Sequence, residues 1–295
     1  MLKLFKHNQI DKARWNNCIE SSNTPRTAVK SWYLDIVSPG WNALIFNDYQ
    51  AVMPLPVLKK WGISFLIQPL FVQQAGIYGN FDEQLAKYFL KNIPKKYPYT
   101  AICLNEENSA QLSLTKFYSN YKLAIDEDYQ RLYKKYNRNC KRKLKQAQNS
   151  NLTEKEITNI DTFITFFRKN IGSAISAITD KQYRKLTLLI EAAQHQNATS
   201  IIGIYDGEEL VAVGLFFIEP EHVYFTLCAS SDNGKEKQAM TFLVDSQVQK
   251  YAGTKKWYDF TGSNLPGIAK FNASFGANEY KYPIYKKGIL SKFIK

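Results

Sequence analysis

Histidine and cysteine are scarce in this sequence, and their scarcity removes several classes of enzyme at once. His7, His195 and His222 are the three histidines, and none forms an HxH or HExxH pair, so no zinc enzyme is expected. Cys18, Cys103, Cys140 and Cys228 are scattered and make no CxxC pair; neither a metal cluster nor a disulfide framework is expected, only free thiols that fill space. Long apolar runs are also missing. The run from Ser64 to Val72 is broken by Gln68 and Pro69, and it falls well short of the roughly 20 residues that cross a bilayer, so no membrane span is expected. The opening residues Met1 to His7 have no apolar core or small-residue cleavage site, which predicts a cytoplasmic protein. Acidic residues are outnumbered, 26 to 39, for a net charge of +13. That favours anionic partners, whether nucleotide phosphates, nucleic acid or an acidic membrane face, without choosing among them.

What is present describes a folded chain. Hydrophobic residues make up 45% and charged residues 22% of 295 residues, enough for two domains with separate cores. Strand, helix and turn signals predict a first strand at 2–5, a helix capped by Asp11, a helix over 28–37, and strands over 41–46, 49–58 and 64–73. Pro54 and Pro56 mark the middle strand as bulged or near an edge. A helix over 82–90, a strand at 100–104, a helix over 109–118 and a strand over 122–126 follow. The second half repeats the order: helices over 161–169 and 180–194, strands over 200–205, 210–218 and 222–229, a helix over 237–251, a strand from Trp257 to Thr261, a helix after Pro266 and a strand around Tyr280. Two copies of one supersecondary order point to two copies of one fold.

Lys255 to Lys287 carries the most specific wording. Trp257 to Thr261 ends at the turn cluster Gly262-Ser263-Asn264; Pro266 suits a first helical turn and Gly276 the position past its end. Ile268, Phe271 and Phe275 recur at helical spacing. Asp-Phe-Thr-Gly-Ser followed by Gly-Ile-Ala-Lys-Phe-Asn-Ala-Ser-Phe-Gly-Ala resembles the closing segment of the FemABX-like branch of the GNAT acyltransferase superfamily, and Gln68-Pro69 to Gln73-Gln74-Ala75-Gly76-Ile77 is similar to that branch's wording in its first half. The resemblance implies an α/β (α+β) chain of two tandem GNAT-like domains, each a mixed, mainly antiparallel sheet flanked by helices. The expected boundaries are 1–128 for the first domain, 129–150 for a basic linker helix and 151–295 for the second domain.

The linker segment carries eight basic residues after Asp128 with no acidic one. At 100° per residue, Tyr129, Tyr133, Tyr136, Cys140, Leu144 and Ala147 form one stripe, with Lys134, Arg138, Lys141 and Lys145 opposite. Two readings stand: a helix that docks its tyrosines and leaves lysines in water, or a face for phosphates and polyanions. Tyr136-Asn137-Arg138-Asn139-Cys140-Lys141-Arg142 resembles the helix that introduces the second FemABX domain. Arg138 and Arg142 are its candidate anion contacts; Asn264 and Lys270 are further substrate-binding candidates.

In the GNAT fold the donor's pyrophosphate meets free amides at the start of the helix after the central strands, where the dipole also favours an anion. The resemblance places that loop at Ser230, Ser231, Gly234, Lys235, Lys237 and Gln238, with acyl-CoA as co-substrate; the alternative is an ordinary polar loop. Acyl transfer to an amine needs a base, donors to the carbonyl oxygen and an acid for the leaving group. Asp259 is the candidate base, against a structural carboxylate bonded to turn amides. Tyr224 is a further catalytic candidate; it lies on one strand with His222, facing the same side. Asn272 stands where many GNAT enzymes have a tyrosine acid and where peptidoglycan-building relatives have a lysine, and it is the departure from the pattern. The leading reading is an N-acyltransferase that takes an acyl group from a thioester to a primary amine of a small-molecule or sugar-like acceptor. An aminoacyl-tRNA-dependent transferase acting on a cell-wall precursor, with tRNA as partner, is the second; a non-catalytic scaffold binding an anionic ligand is the third. No metal is expected.

Overall fold

The computed structural model describes residues 1–112, 114–171 and 178–288. The chain forms two compact units: Met1–Ser119 with the residues from Lys281 onward, and Asn120–Tyr280. Along the first stretch come β1 (Leu2–Phe5), α1 (Lys12–Glu20), α2 (Ser31–Val37), β2 (Asn42–Phe46), β3 (Ala51–Leu55), β4 (Val57–Lys60), β5 (Ile63–Ile67), β6 (Tyr78–Gly79), α3 (Glu83–Lys91), β7 (Tyr99–Cys103), α4 (Glu106–Gln111) and β8 (Phe117–Ala124). Then follow α5 (Tyr129–Lys135), α6 (Arg138–Gln148), β9 (Leu152–Glu156), α7 (Ile160–Asn170), α8 (Asp180–His195), β10 (Thr199–Asp206), β11 (Glu209–Ile218) and β12 (His222–Ser230). The last elements are α9 (Asp232–Glu236), α10 (Ala239–Tyr251), β13 (Trp257–Asp259), α11 (Pro266–Ala273) and β14 (Asn278–Gly288).

In the first unit β1, β2 and β3 make an antiparallel sheet that β6 extends. Asp11 caps α1 as predicted, accepting from the amides of Ala13 and Arg14 at 3.0 and 3.1 Å, which satisfies two of the donors a helix start leaves over. The predicted strand over 49–58 is two strands: β3 and β4 lie on either side of Pro56 and belong to different sheets. Proline has no N–H to give a ladder, so the chain changes sheets there. β4 and β5 form a hairpin, and β5 runs parallel to β7. The strand predicted to reach Gln73 stops at Ile67. The helix expected over 109–118 is shorter and earlier: Asn105 caps α4 by accepting from Asn108 N at 2.9 Å, and Phe117 and Tyr118 already belong to β8. Ser113 of that expected helix lies outside the described residues.

The second unit is a mixed, mainly antiparallel sheet in the order β8, β13, β12, β11, β10, β9, in which the β12–β13 pair is parallel. Phe216, Phe225, Tyr258 and Phe260 stack in its core, joined by Leu132, Tyr136, Cys140, Leu144 and Ala147 from α5 and α6. The tyrosine stripe read from the sequence therefore docks inward, with Lys134, Arg138 and Lys145 exposed on the other side. One expectation is corrected: the basic segment is two helices. Tyr136 and Asn137 are extended, and Asn137 caps α6 by accepting from Cys140 N at 2.8 Å. The helix expected over 237–251 is α10, which begins at Ala239 after Gln238, whose φ is +58°; the short α9 before it was not anticipated. β9 was not anticipated.

Candidate functional site

β12 and β13 pair over three residues only, His222, Val223 and Tyr224 against Trp257, Tyr258 and Asp259. Beyond that β13 ends, while β12 continues to Ser230. Among the described residues, the stretch of β12 from Leu227 to Ser230 is paired to β11 alone. A register shift in the β11–β12 pair falls at the same place, where Leu215 faces Leu227 but Phe216 faces Phe225. An extra residue of this kind bends a strand and raises its twist, which is how β12 leaves β13.

The chain after β13 is held open at this point by an unfavourable backbone. Thr261 has φ of +36° and Gly262 of +76°; a left-handed β-branched residue is an outlier and costs on the order of 1–3 kcal/mol. The Thr261 hydroxyl donates to the Phe225 carbonyl, and its amide donates to Asp259 Oδ1 at 2.9 Å. The turn thus fastens to both strands where they part.

Asp259, 2% exposed, is the centre of a buried polar network. Asn120 Nδ2 donates to its Oδ1 at 2.6 Å, and the Tyr280 hydroxyl donates to its Oδ2 at 2.7 Å. The same Asn120 amide lies 2.6 Å from the Tyr280 oxygen. Asn120 Oδ1 accepts from Ser263 Oγ at 3.3 Å, and Ser263 Oγ accepts from Asn272 Nδ2 at 2.8 Å. Three donors, Asn120 Nδ2, the Thr261 amide and the Tyr280 hydroxyl, thus converge on this carboxylate. Lys122 stands close by, its ammonium 4.6 Å from the Trp257 ring centre and 5.0 Å from that of Tyr280.

Two of the three predicted catalytic residues, Asp259 and Asn272, therefore lie in one network, linked through Asn120 and Ser263. The third, Tyr224, sits opposite Asp259 in the strand register and stacks on His222 with ring centres 5.4 Å apart. Asn120, Ser263 and Tyr280 join the site without having been singled out. Tyr280 supplies a phenol where the sequence pattern leaves Asn272 in place of a tyrosine.

In the loop after β12, where the resemblance expects the donor, Ser231 caps α9 by accepting from Gly234 N at 3.1 Å. Gly234 is packed so closely that a Cβ there would meet the Val211 carbonyl oxygen at 2.2 Å. Both lysines have intramolecular partners: Lys235 pairs with Asp232 at 2.8 Å and Lys237 with Asp206. Gln238 turns its side chain back to the Lys235 carbonyl at 2.9 Å. No side chain caps α10, which starts directly after this loop and has no acid in its first turn. Arg138 and Arg142 are exposed on α6, and Arg142 reaches Asn139 at 3.0 Å. Asn264 and Lys270 are exposed.

All four cysteines are free. Burial pushes the Cys18 and Cys140 thiols up to about 11 and those of Cys103 and Cys228 to about 12, so none is a thiolate at neutral pH. No cluster of three metal-binding side chains occurs among the described residues, and no helix among them is long and apolar enough to cross a membrane.

No protein-family model matches the sequence. No curated protein matches it either. Solved structures do match in shape. FemX covers 97% of this chain and 98% of its own length at 11% identity and a TM-score of 0.68. L-PGS from Bacillus licheniformis covers 93% and 91% at 11% identity and a TM-score of 0.55. A tandem GNAT protein from the clavulanic acid biosynthesis pathway covers 97% and 98% at 11% identity and a TM-score of 0.54. The fold is that of these proteins, as the tandem GNAT-like, FemABX-like reading of the sequence expected.

Proposed function

We propose that this chain is an N-acyltransferase that moves an acyl group from a thioester, acyl-CoA, to a primary amine of a small-molecule or sugar-like acceptor. The observation that carries the proposal is the parting of β12 from β13 directly beside the buried Asp259 network. An unpaired strand edge offers amides and carbonyls to an extended, amide-containing chain such as the donor's pantetheine arm. The edge from Leu227 to Ser230 would hold that arm, and the uncapped start of α10 would face its phosphates. Lys235 and Lys237 serve only if phosphate displaces their carboxylates.

In the reaction the amine nitrogen attacks the thioester carbonyl carbon, a C–N bond forms and the C–S bond breaks. The proton lost from nitrogen ends on sulfur. Tyr280 is the group in the network fit to handle that proton, because its hydroxyl is hydrogen-bonded to Asp259 and its side chain is half-buried, whereas Asp259 is enclosed. Asp259 acts through it: the carboxylate takes up the phenol's proton as the phenolic oxygen takes a proton from the nitrogen of the attacking neutral amine, and returns it when the phenol protonates the thiolate. Asn120 and Ser263 hold the carboxylate and phenol in register.

The exposed cations of α6 favour a second reading, an aminoacyl-tRNA donor. Calorimetric titration of CoA, set beside tRNA binding over a salt series, separates the two. Tight 1:1 binding of CoA with amine-dependent thiol release supports the proposal. Steeply salt-dependent tRNA binding without CoA binding replaces it with the second reading.

A further inference from the structure

The first unit carries an unusual surface hairpin. β4 and β5 are joined by a two-residue turn, Trp61-Gly62, with Lys60 opposite Ile63. Both turn residues have positive φ, +51° and +73°, the pair of conformations for which Asn-Gly is the favoured choice. Here the first position holds a tryptophan, and it is 83% exposed. Leu58 and Ile63 flank it, 49% and 47% exposed. Leu58, Lys60, Ile63 and Phe65 share one face of the hairpin by register, so apolar groups and a lysine lie together in water. A solitary exposed aliphatic residue is ordinary; an indole at a turn tip with two aliphatic neighbours is a patch.

The charge around it has one sign. Lys60 lies 4.2 Å from the centre of the Trp61 ring. On the opposite face of the hairpin, that of Val57, Lys59 and Ser64 by register, a pocket of about 690 Å³ is lined, among the described residues, by Lys6, His7, Lys59, Lys96 and Tyr97 and by no carboxylate. Asp35, the acid that His7 reaches, also accepts from Lys12 and Trp41. The buried Tyr97 hydroxyl accepts from Asn42 Nδ2 at 2.9 Å, which leaves its own proton to donate.

We propose that the hairpin docks tip-first on an anionic lipid surface, with Trp61 and its neighbours Leu58 and Ile63 entering the interface and Lys59 and Lys60, one on each face of the hairpin, meeting lipid phosphates. Tryptophan prefers the headgroup level of a bilayer, and lysines beside it add attraction to anionic lipid. Charge complementarity selects this occupant over a second copy: β4 is an edge strand bearing Lys59 and Lys60, and lysines on an edge oppose pairing with a like-charged strand. The net charge of +13 acts in the same direction.

The full chain is sedimented with vesicles of phosphatidylcholine alone and of phosphatidylcholine with phosphatidylglycerol. Binding to the second kind only is expected, with a blue shift of tryptophan emission that is lost in Trp61→Phe. Trp61→Ser weakens binding by roughly tenfold, the worth of one buried large apolar side chain, and Lys59→Gln and Lys60→Gln by about fivefold each. These side chains are exposed, so all four variants should unfold at the parent temperature. Equal affinity for both vesicle types, or Trp61→Ser binding as tightly as the parent, overturns the proposal. Binding of free glycerol phosphate without any vesicle binding overturns it too, in favour of a soluble ligand.

Discussion

Replacing Asp259 with asparagine separates a working carboxylate from a structural one. Asp259 Oδ1 accepts from Asn120 and from the Thr261 amide, so the new amide oxygen keeps both bonds. The amide nitrogen then takes the place of Oδ2, which accepts from Tyr280. Of these three bonds, the one from the phenol proton loses its acceptor. Two bonds fall from charge-assisted to neutral strength, about 0.5–1.5 kcal/mol each, and one is lost at a similar cost. Against this, a buried charge no longer has to be desolvated, which returns part of the loss. The net destabilisation should be about 1–2 kcal/mol, equivalent to a fall of roughly 2–8 °C in melting temperature for a unit of this size. Activity should fall much further, by about 10²-fold or more, because the phenol loses its proton partner. The assay is amine-dependent thiol release from acetyl-CoA, run beside thermal unfolding. Tyr280→Phe should lose activity to a similar degree and flatten the pH–rate profile, which a purely structural tyrosine would not do. An Asp259→Asn chain that folds and turns over at the parent rate at every pH would refute the reasoning.

Three further outcomes follow from the geometry. Gly234→Ala should weaken CoA binding, since its Cβ would meet the Val211 carbonyl oxygen at 2.2 Å and push the donor loop off β11; calorimetry against an intact melting curve for the rest of the chain reads this. Asp245 is buried on α10, and burial holds its carboxyl above the ordinary range even though Tyr129 donates to it at 2.8 Å. A raised carboxyl contributes stability below its unfolded value of 3.8 and loses it as pH rises through the folded value. Asp245→Asn should therefore melt higher than the parent at pH 7, with the difference shrinking as pH falls towards that value. Arg138→Ala and Arg142→Ala, both exposed, should leave stability unchanged. If the chain binds tRNA, each should lower the salt slope by about 1, as measured by binding over a salt series.

What the sequence revealed of this site was local. Pro266 at the start of α11, Gly276 past its end and the turn at Gly262 are signals read within a few residues, and each is where it was expected. Asn120 is separated from Asp259 by 139 residues and from Tyr280 by 160, and nothing in its neighbourhood marks it. The strand that carries it was expected to start at Lys122, so Asn120 fell outside any element. Helical spacing also misled. Ile268 was grouped with Phe271 and Phe275, but Ile268 is 42% exposed and the residue α11 buries is Asn272, which turns inward to reach Ser263. β9 was invisible for a different reason: Thr153 to Glu156 is an exposed edge strand of polar and charged residues with no alternation to read. The break at Asn137 was hidden because Tyr136 and Cys140 stay buried on both sides of it, so the apolar stripe runs through the interruption.

The most direct test of the central claim is amide hydrogen exchange of the full chain with and without acetyl-CoA, followed by fragment. The account predicts slower exchange on adding the donor at β12 from Leu227 to Ser230 and in the first turn of α10, with the hairpin at Trp61 unchanged. Protection confined to other segments, or none at saturating acetyl-CoA, would contradict it.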